Sequence, residues 1–73
     1  MINNIYISYR GKMYTERTRT QLDEGTIRSF MSTANIRRTY DLYGTLYSLT
    51  KHEDEWVLVN EIKKTVIRLK IVK

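Results

Sequence analysis

Much of the chain alternates apolar and polar side chains with a period of two, the pattern of β-strands that are buried on one face. The clearest case lies near residue 70, where Ile67, Leu69 and Ile71 share one face. Ile5, Ile7 and their neighbours alternate in the same way. Beyond residue 38 the chain is rich in Tyr, Thr, Val and Ile, which favour strands. Four strands are predicted there, at 39–43, 45–51, 56–62 and 65–72, with a polar hairpin tip at 52–55 and a turn near 63–64.

The first strand and the segment after it are predicted to form a hairpin. Gly11 and Lys12 follow the first strand, and Gly at the first central position of a two-residue loop suits a type II′ turn. Segment 13–20 then returns as a second strand, because its threonines have β-branched side chains that favour extended backbone. Since this strand has no inward apolar residue after Met13, we expect it at a sheet edge or projecting beyond the core.

One helix interrupts the strands. Four apolar side chains have the i, i+3, i+4, i+7 spacing of one helical face: Ile27, Phe30, Met31 and Ala34. This spacing predicts a helix of about three turns over residues 25–35. Asp23 and Glu24 lie near its positive N-terminal end, and Thr26 is the predicted N-cap.

These segments follow one another in the order ββαββββ within a single small domain, residues 1–73. Short connections favour antiparallel neighbours. The predicted fold class is therefore α+β, mostly β: a small twisted antiparallel sheet or partly open barrel with one short helix. A chain of 73 residues allows one small core, and its three glycines and lack of proline argue against a linker or disordered arm.

The composition of the chain indicates its cellular compartment. The chain has no cysteine, which favours a reducing compartment over secretion. Its first ten residues show no basic segment followed by an apolar run, so no signal peptide is predicted. The apolar stretch 56–59 is far too short to span a bilayer. We therefore expect a cytoplasmic protein without a membrane partner.

No residue pattern indicates catalysis, a metal or a cofactor. There is no cysteine nucleophile, the one histidine lies in the polar tip 52–55, and no glycine belongs to a phosphate-cradling motif. We predict a non-enzymatic protein with no metal site and no cofactor, in which 52–55 is a solvated hairpin tip. Trp56, which opens an apolar run, is predicted to anchor the core or its edge.

The most unusual segment is 9–20, whose four basic side chains and single acid, Glu16, give it +3 of the net charge of +5. Cations neutralise phosphates and flat rings stack on bases, so this hairpin predicts a DNA or RNA binder with weak sequence preference. The candidate contact residues are Tyr9, Arg10, Lys12, Tyr14, Arg17 and Arg19, with Arg37 and Arg38 as an extension. A polar edge strand that resists aggregation explains the same pattern without a ligand. Arg37 and Arg38 are equally interpreted as cations that complement the negative end of the helix.

Two other functions stay open from the residues alone. One is a small protein-binding inhibitor or regulator of the phage or mobile-element type, which occludes a host protein. Its polar ribbon would add to an edge strand, or its arginines would meet an acidic protein surface. The other is a self-associating structural subunit whose strand edges pair between copies in a homo-oligomer.

Overall fold

The computed structural model describes residues 4–72. Over that range the chain forms six strands and one helix. They are β1 (Tyr6–Tyr9), β2 (Lys12–Gln21), α1 (Glu24–Thr33), β3 (Asn35–Leu42), β4 (Thr45–His52), β5 (Glu55–Asn60) and β6 (Thr65–Ile71). The predicted order ββαββββ and the mostly-β class are confirmed. The polar tip between β4 and β5 and the turn between β5 and β6 are also confirmed.

All six strands belong to one antiparallel sheet with the spatial order β1-β2-β6-β5-β4-β3. The sheet curls into a half-barrel, which confirms the predicted partly open barrel. Its two edges, β1 and β3, approach each other across the concave side. There the Tyr40 hydroxyl donates a hydrogen bond of 2.7 Å to the carbonyl oxygen of Ser8.

The concave side, called the inner face below, carries the larger core and draws on every strand. Its buried residues are Ile5, Ile7, Tyr14, Tyr47, Leu49, Leu58, Ile67 and Leu69. Leu49, Leu58 and Ile67 lie side by side on neighbouring strands and are fully buried. Tyr9 of β1 and Trp56 of β5 are separated by two strands in the sheet, yet their ring centroids are 5.4 Å apart. This contact shows how tightly the sheet curls.

Helix α1 covers part of the convex side, called the outer face. It buries Ile27 against Val57, Val59 and Val66 of β5 and β6, with Phe30 and Met31 packed beside them. The predicted apolar helix face is therefore confirmed, except that Ala34 is the C-cap. Within the described residues, no helix has the length and apolarity needed to cross a bilayer.

The ends of α1 correct two predictions. The N-cap is Asp23, whose Oδ1 accepts a hydrogen bond of 2.7 Å from the Thr26 backbone N–H, so Thr26 is the donor rather than the cap. The last helical turn contains no basic residue, because Arg37 and Arg38 lie within β3. A helix dipole acts only over its terminal turn, so the interpretation that these arginines complement it is wrong.

The β1–β2 turn is of a different type from the one predicted. Arg10 and Gly11 are its central residues, with φ of 51° and 77°, and two positive φ values define a type I′ turn. Lys12 is already the first residue of β2. Tyr43 and Gly44 form a turn of the same type between β3 and β4, with φ of 55° and 77°.

The second strand lies at an edge of the sheet, as predicted, over only part of its length. β2 pairs with β1 through residues 12–15 and with β6 through residues 14–21. Only the stretch 16–21 lacks a neighbour on the β1 side. The predicted edge position therefore holds for 16–21, a mostly exposed stretch, and is wrong for 14–15, which lies between β1 and β6.

Candidate binding site

The inner core ends in a layer of aromatic rings at the end of the half-barrel where the β1–β2 and β4–β5 turns lie. The partly buried ring of Trp56 forms its centre. The centroid of this ring lies 5.4 Å from that of Tyr9 and 6.3 Å from that of Tyr14, both tilted against it. Trp56 packs against the inner core, as predicted, but it also forms part of the surface.

Four cations lie over the rings of Tyr9, Trp56 and Tyr40. Lys51 and Arg37 lie over Trp56, Arg10 over Tyr9 and Arg38 over Tyr40, with charge-to-centroid distances of 4.7, 6.0, 5.6 and 5.7 Å. Cations at such distances are attracted by the negative face of the ring. Each such contact contributes about 0.5–1 kcal/mol at an exposed site, so the rings favour positions of the charged groups close to them. Lys12 lies opposite Tyr9 in the hairpin register and adds a fifth cation. We call the following residues the basic aromatic cluster: the rings Tyr9, Tyr14, Tyr40 and Trp56 and the cations Arg10, Lys12, Arg37, Arg38 and Lys51.

A β-bulge explains why two adjacent arginines both join the cluster. Side chains of consecutive strand residues normally point to opposite faces. In β3 the register shifts between Ile36 and Arg38, so that Arg37 is an inserted residue. Arg38 lies opposite Leu49 of the inner core, while Arg37 lies over Trp56. Both guanidinium groups therefore lie at the same end of the inner face.

The charges of the cluster are available to a ligand. Among residues 4–72 no ion pair involves its five cations, Arg10, Lys12, Arg37, Arg38 and Lys51. Two exposed acids, Glu53 and Asp54, form the β4–β5 turn at this end of the half-barrel. Five positive and two negative charges leave a local balance of +3. This end of the molecule therefore attracts anions.

Arg17 and Arg19, two of the predicted contact residues, lie elsewhere and are bound to carboxylates. Arg17 forms an ion pair with Glu55, which also accepts a hydrogen bond of 3.3 Å from Arg68. Arg19 binds both carboxylate oxygens of Glu16, at 2.8 and 3.2 Å. That hydrogen bond to Glu16 is the largest cause that raises the pKa of Arg19 above its usual value. The structure thus brings together six of the eight predicted residues and separates these two from them.

A second bulge produces this separation. The β2 register shifts between Glu16 and Thr18, with Arg17 as the inserted residue. Without the insertion, Glu16 and Arg19 would point to opposite faces. With it, they lie opposite Leu69 and Ile67 on the same inner face, where they form their ion pair.

Sequence reasoning missed Lys51, Tyr40 and the surface role of Trp56. The signal for Lys51 was present in the polar hairpin tip. A two-residue turn at Glu53 and Asp54 pairs Lys51 with Trp56 and puts both side chains on one face. The approach of Tyr40 to β1 depends on the curl of the whole sheet and has no local signal.

Two shallow grooves lie outside the basic aromatic cluster. One lies beside α1, where the Phe30 ring stacks on His52 with centroids 4.1 Å apart. The other lies at the opposite end of the half-barrel and includes the exposed side chains of Leu46 and Ile62. No group of three or more His, Asp or Glu side chains in the described part of the chain is placed to hold a metal ion. The basic aromatic cluster is thus the site with the most distinctive chemistry.

The cluster combines positive charges with flat rings. Such a surface binds anionic ligands that also carry flat or apolar groups. Comparison of the chain with protein-family models, with curated proteins and with solved structures finds no match.

Proposed function

We propose that this protein is a non-enzymatic, cytoplasmic nucleic-acid-binding protein whose contact surface is the basic aromatic cluster. The observation that supports this function best is the interleaving of five cations, which form no ion pair within residues 4–72, with partly exposed rings. Cations at such a surface neutralise phosphates, and rings pack on bases or sugars. Sequence preference is weak, because phosphate contacts position a protein without reading bases.

An acidic protein segment is the second candidate ligand, and the sheet edges favour it. β1 and β3 border the cluster, and each has one side without a neighbouring strand in the sheet. An extended acidic segment would gain backbone hydrogen bonds from such an edge and ion pairs from the arginines. Nucleic acid ranks first because edge pairing gives no role to the rings of Tyr9 and Trp56.

The test compares two double variants that carry the same net charge. Arg37→Gln with Arg38→Gln removes two cations from the cluster, whereas Arg17→Gln with Arg19→Gln removes two that are bound to Glu55 and Glu16. Binding of labelled oligonucleotides is measured over a range of salt concentrations. Thermal unfolding of each variant checks that the fold is intact.

Five phosphate contacts predict a slope of log K against log[salt] of roughly −3.5 on a single strand or −4.5 on a duplex. Loss of Arg37 and Arg38 should reduce the size of that slope by about 1.4 to 1.8. The Arg17 and Arg19 variant should keep the original slope. Equal slopes for the two variants would show that the cluster is not the contact surface. Absence of binding at low salt would refute nucleic-acid binding and direct the search to acidic proteins.

A further inference from the structure

We infer that the ligand of the basic aromatic cluster is single-stranded nucleic acid, with at least one unpaired base stacked on the rings of Tyr9 and Trp56. This inference rests on the proposed function and specifies its substrate. Three features support it: the shape of the molecule, the distribution of its free charges and the position of the rings.

The described structure offers no element shaped to enter a duplex groove. Proteins that read the major groove insert a helix or a two-stranded ribbon into a channel about 12 Å wide. Here β1 is four residues long, and Ile5 and Ile7 fix it against the inner core. Helix α1 has one basic side chain, Arg28, which is bound to Glu24 at 3.2 Å. Neither element presents a free row of cations to a groove.

The five cations of the basic aromatic cluster are gathered at one place rather than spread along a line. The Cα atoms of the described structure span 34 Å along their longest axis, and one turn of B-form DNA is about 34–36 Å long. The cluster lies at one end of the half-barrel, so it faces only a fraction of a turn. Arg17 and Arg19, which would have extended the row along β2, are bound to carboxylates. A flexible strand can bend its phosphates around such a compact patch, whereas a stiff duplex brings few of them within reach.

The rings supply the part of the surface that only an unpaired base can use. In a duplex the flat faces of the bases are covered by their neighbours, so aromatic side chains stack on single strands. Tyr9 and Trp56 are partly buried and packed on the inner core, which holds them rigidly at the surface. Arg10 lies over the Tyr9 ring, and Arg37 and Lys51 lie over the Trp56 ring. A base that stacks on these rings displaces the flexible cationic side chains, whose charges then pair with the phosphates that flank the base.

Trp56 is the only tryptophan in the chain, so selective excitation of tryptophan reports on this site alone. The protein is titrated at low salt with an oligothymidylate, with an oligouridylate and with a duplex of the same length. The expected result is quenching of Trp56 emission by the single strands, with affinity at least fivefold higher than for the duplex, since each stacked base contributes roughly 5- to 150-fold.

Two matched variants locate the stacking. Tyr9→Leu removes a ring from the cluster, while Tyr6→Leu makes the same change on the same strand, where Tyr6 points away from the inner face and is 55% exposed. Tyr9→Leu should weaken single-strand binding roughly 5- to 150-fold and leave duplex binding unchanged. Tyr6→Leu should leave both affinities unchanged.

The outcomes separate this inference from the proposed function. If the duplex binds as tightly as the single strands and Trp56 emission does not change, the inference is overturned and nucleic-acid binding stands. If none of the three oligonucleotides binds at low salt, the proposed function itself fails. If Tyr9→Leu unfolds, the emission and the competition between single strand and duplex in the unaltered protein still decide the question.

Discussion

The substitution Tyr40→Phe tests whether one hydroxyl holds the two edges of the half-barrel together. That hydroxyl bonds to the Ser8 carbonyl oxygen, 32 residues away in sequence, at 2.7 Å. The phenyl ring keeps its packing against the inner core, so the substitution creates no cavity and removes only the hydrogen bond. Such a bond has a net value of about 0.5–1.5 kcal/mol. Since Ser8 is exposed and water can replace the lost donor, we expect a decrease in unfolding free energy of about 0.5–1 kcal/mol.

That decrease is measurable against the whole stability of so small a domain. A chain of this length has an unfolding free energy of about 4–11 kcal/mol, and 1 kcal/mol shifts Tm by about 4–8 °C. Urea unfolding followed by Trp56 emission gives the free energy. Tyr47→Phe is the matched control, because Tyr47 lies opposite Tyr40 in the β3–β4 register and its hydroxyl bonds to none of the described residues. If the two variants lose the same stability, the hydroxyl of Tyr40 does not hold the edges together.

Two further predictions concern local backbone and pH. Tyr43→Asn should raise the unfolding free energy by up to about 1 kcal/mol, because Asn before Gly44 suits a type I′ turn better than an exposed Tyr at φ 55°; a lower Tm would contradict this. The hydrogen bond from the Thr26 backbone N–H holds the pKa of Asp23 below its usual 3.8. The charged carboxylate therefore stabilises α1 fully above pH 3.8, and this stabilisation is lost as the pH falls through the lower pKa of the folded state. Thermal unfolding should therefore show a steeper loss of Tm below about pH 3.8 for the unaltered protein than for Asp23→Asn, which keeps a capping oxygen; parallel curves would refute this explanation.

Elements with a strong local period could be predicted from the sequence. The alternation of Ile67 and Leu69 and the helical spacing of Ile27 and Phe30 reflect which side chains face a core, and the structure places these four accordingly. Ile71 continues the alternation but is exposed, because it lies at the end of β6. These patterns need only the geometry of a strand or a helix. The order of elements therefore followed from the sequence, with differences of a few residues at their ends.

The strand order and the bulges could not be predicted in this way. The pairing of β2 with β6 joins Tyr14 to Ile71, and no local pattern specifies a partner so distant. An inserted residue at Arg17 or Arg37 reverses the facing of the side chains around it, and neither insertion is marked by a glycine. The insertion at Arg17 explains why Arg17 and Arg19 lie apart from the other predicted residues of the basic hairpin.

The central place of β6 has a consequence for biosynthesis. β6 is the last described strand along the chain but lies third in the sheet, between β2 and β5. A ribosome that adds about 5–20 residues per second reaches residue 65 roughly 2–9 s after residue 21. During that interval β2 has no partner on its β6 side, and an apolar strand in that state would recruit other nascent chains. The threonines and arginines of β2 keep the unpaired strand hydrated until β6 is synthesised. Its polar composition therefore also protects the nascent protein from aggregation before the sheet is complete.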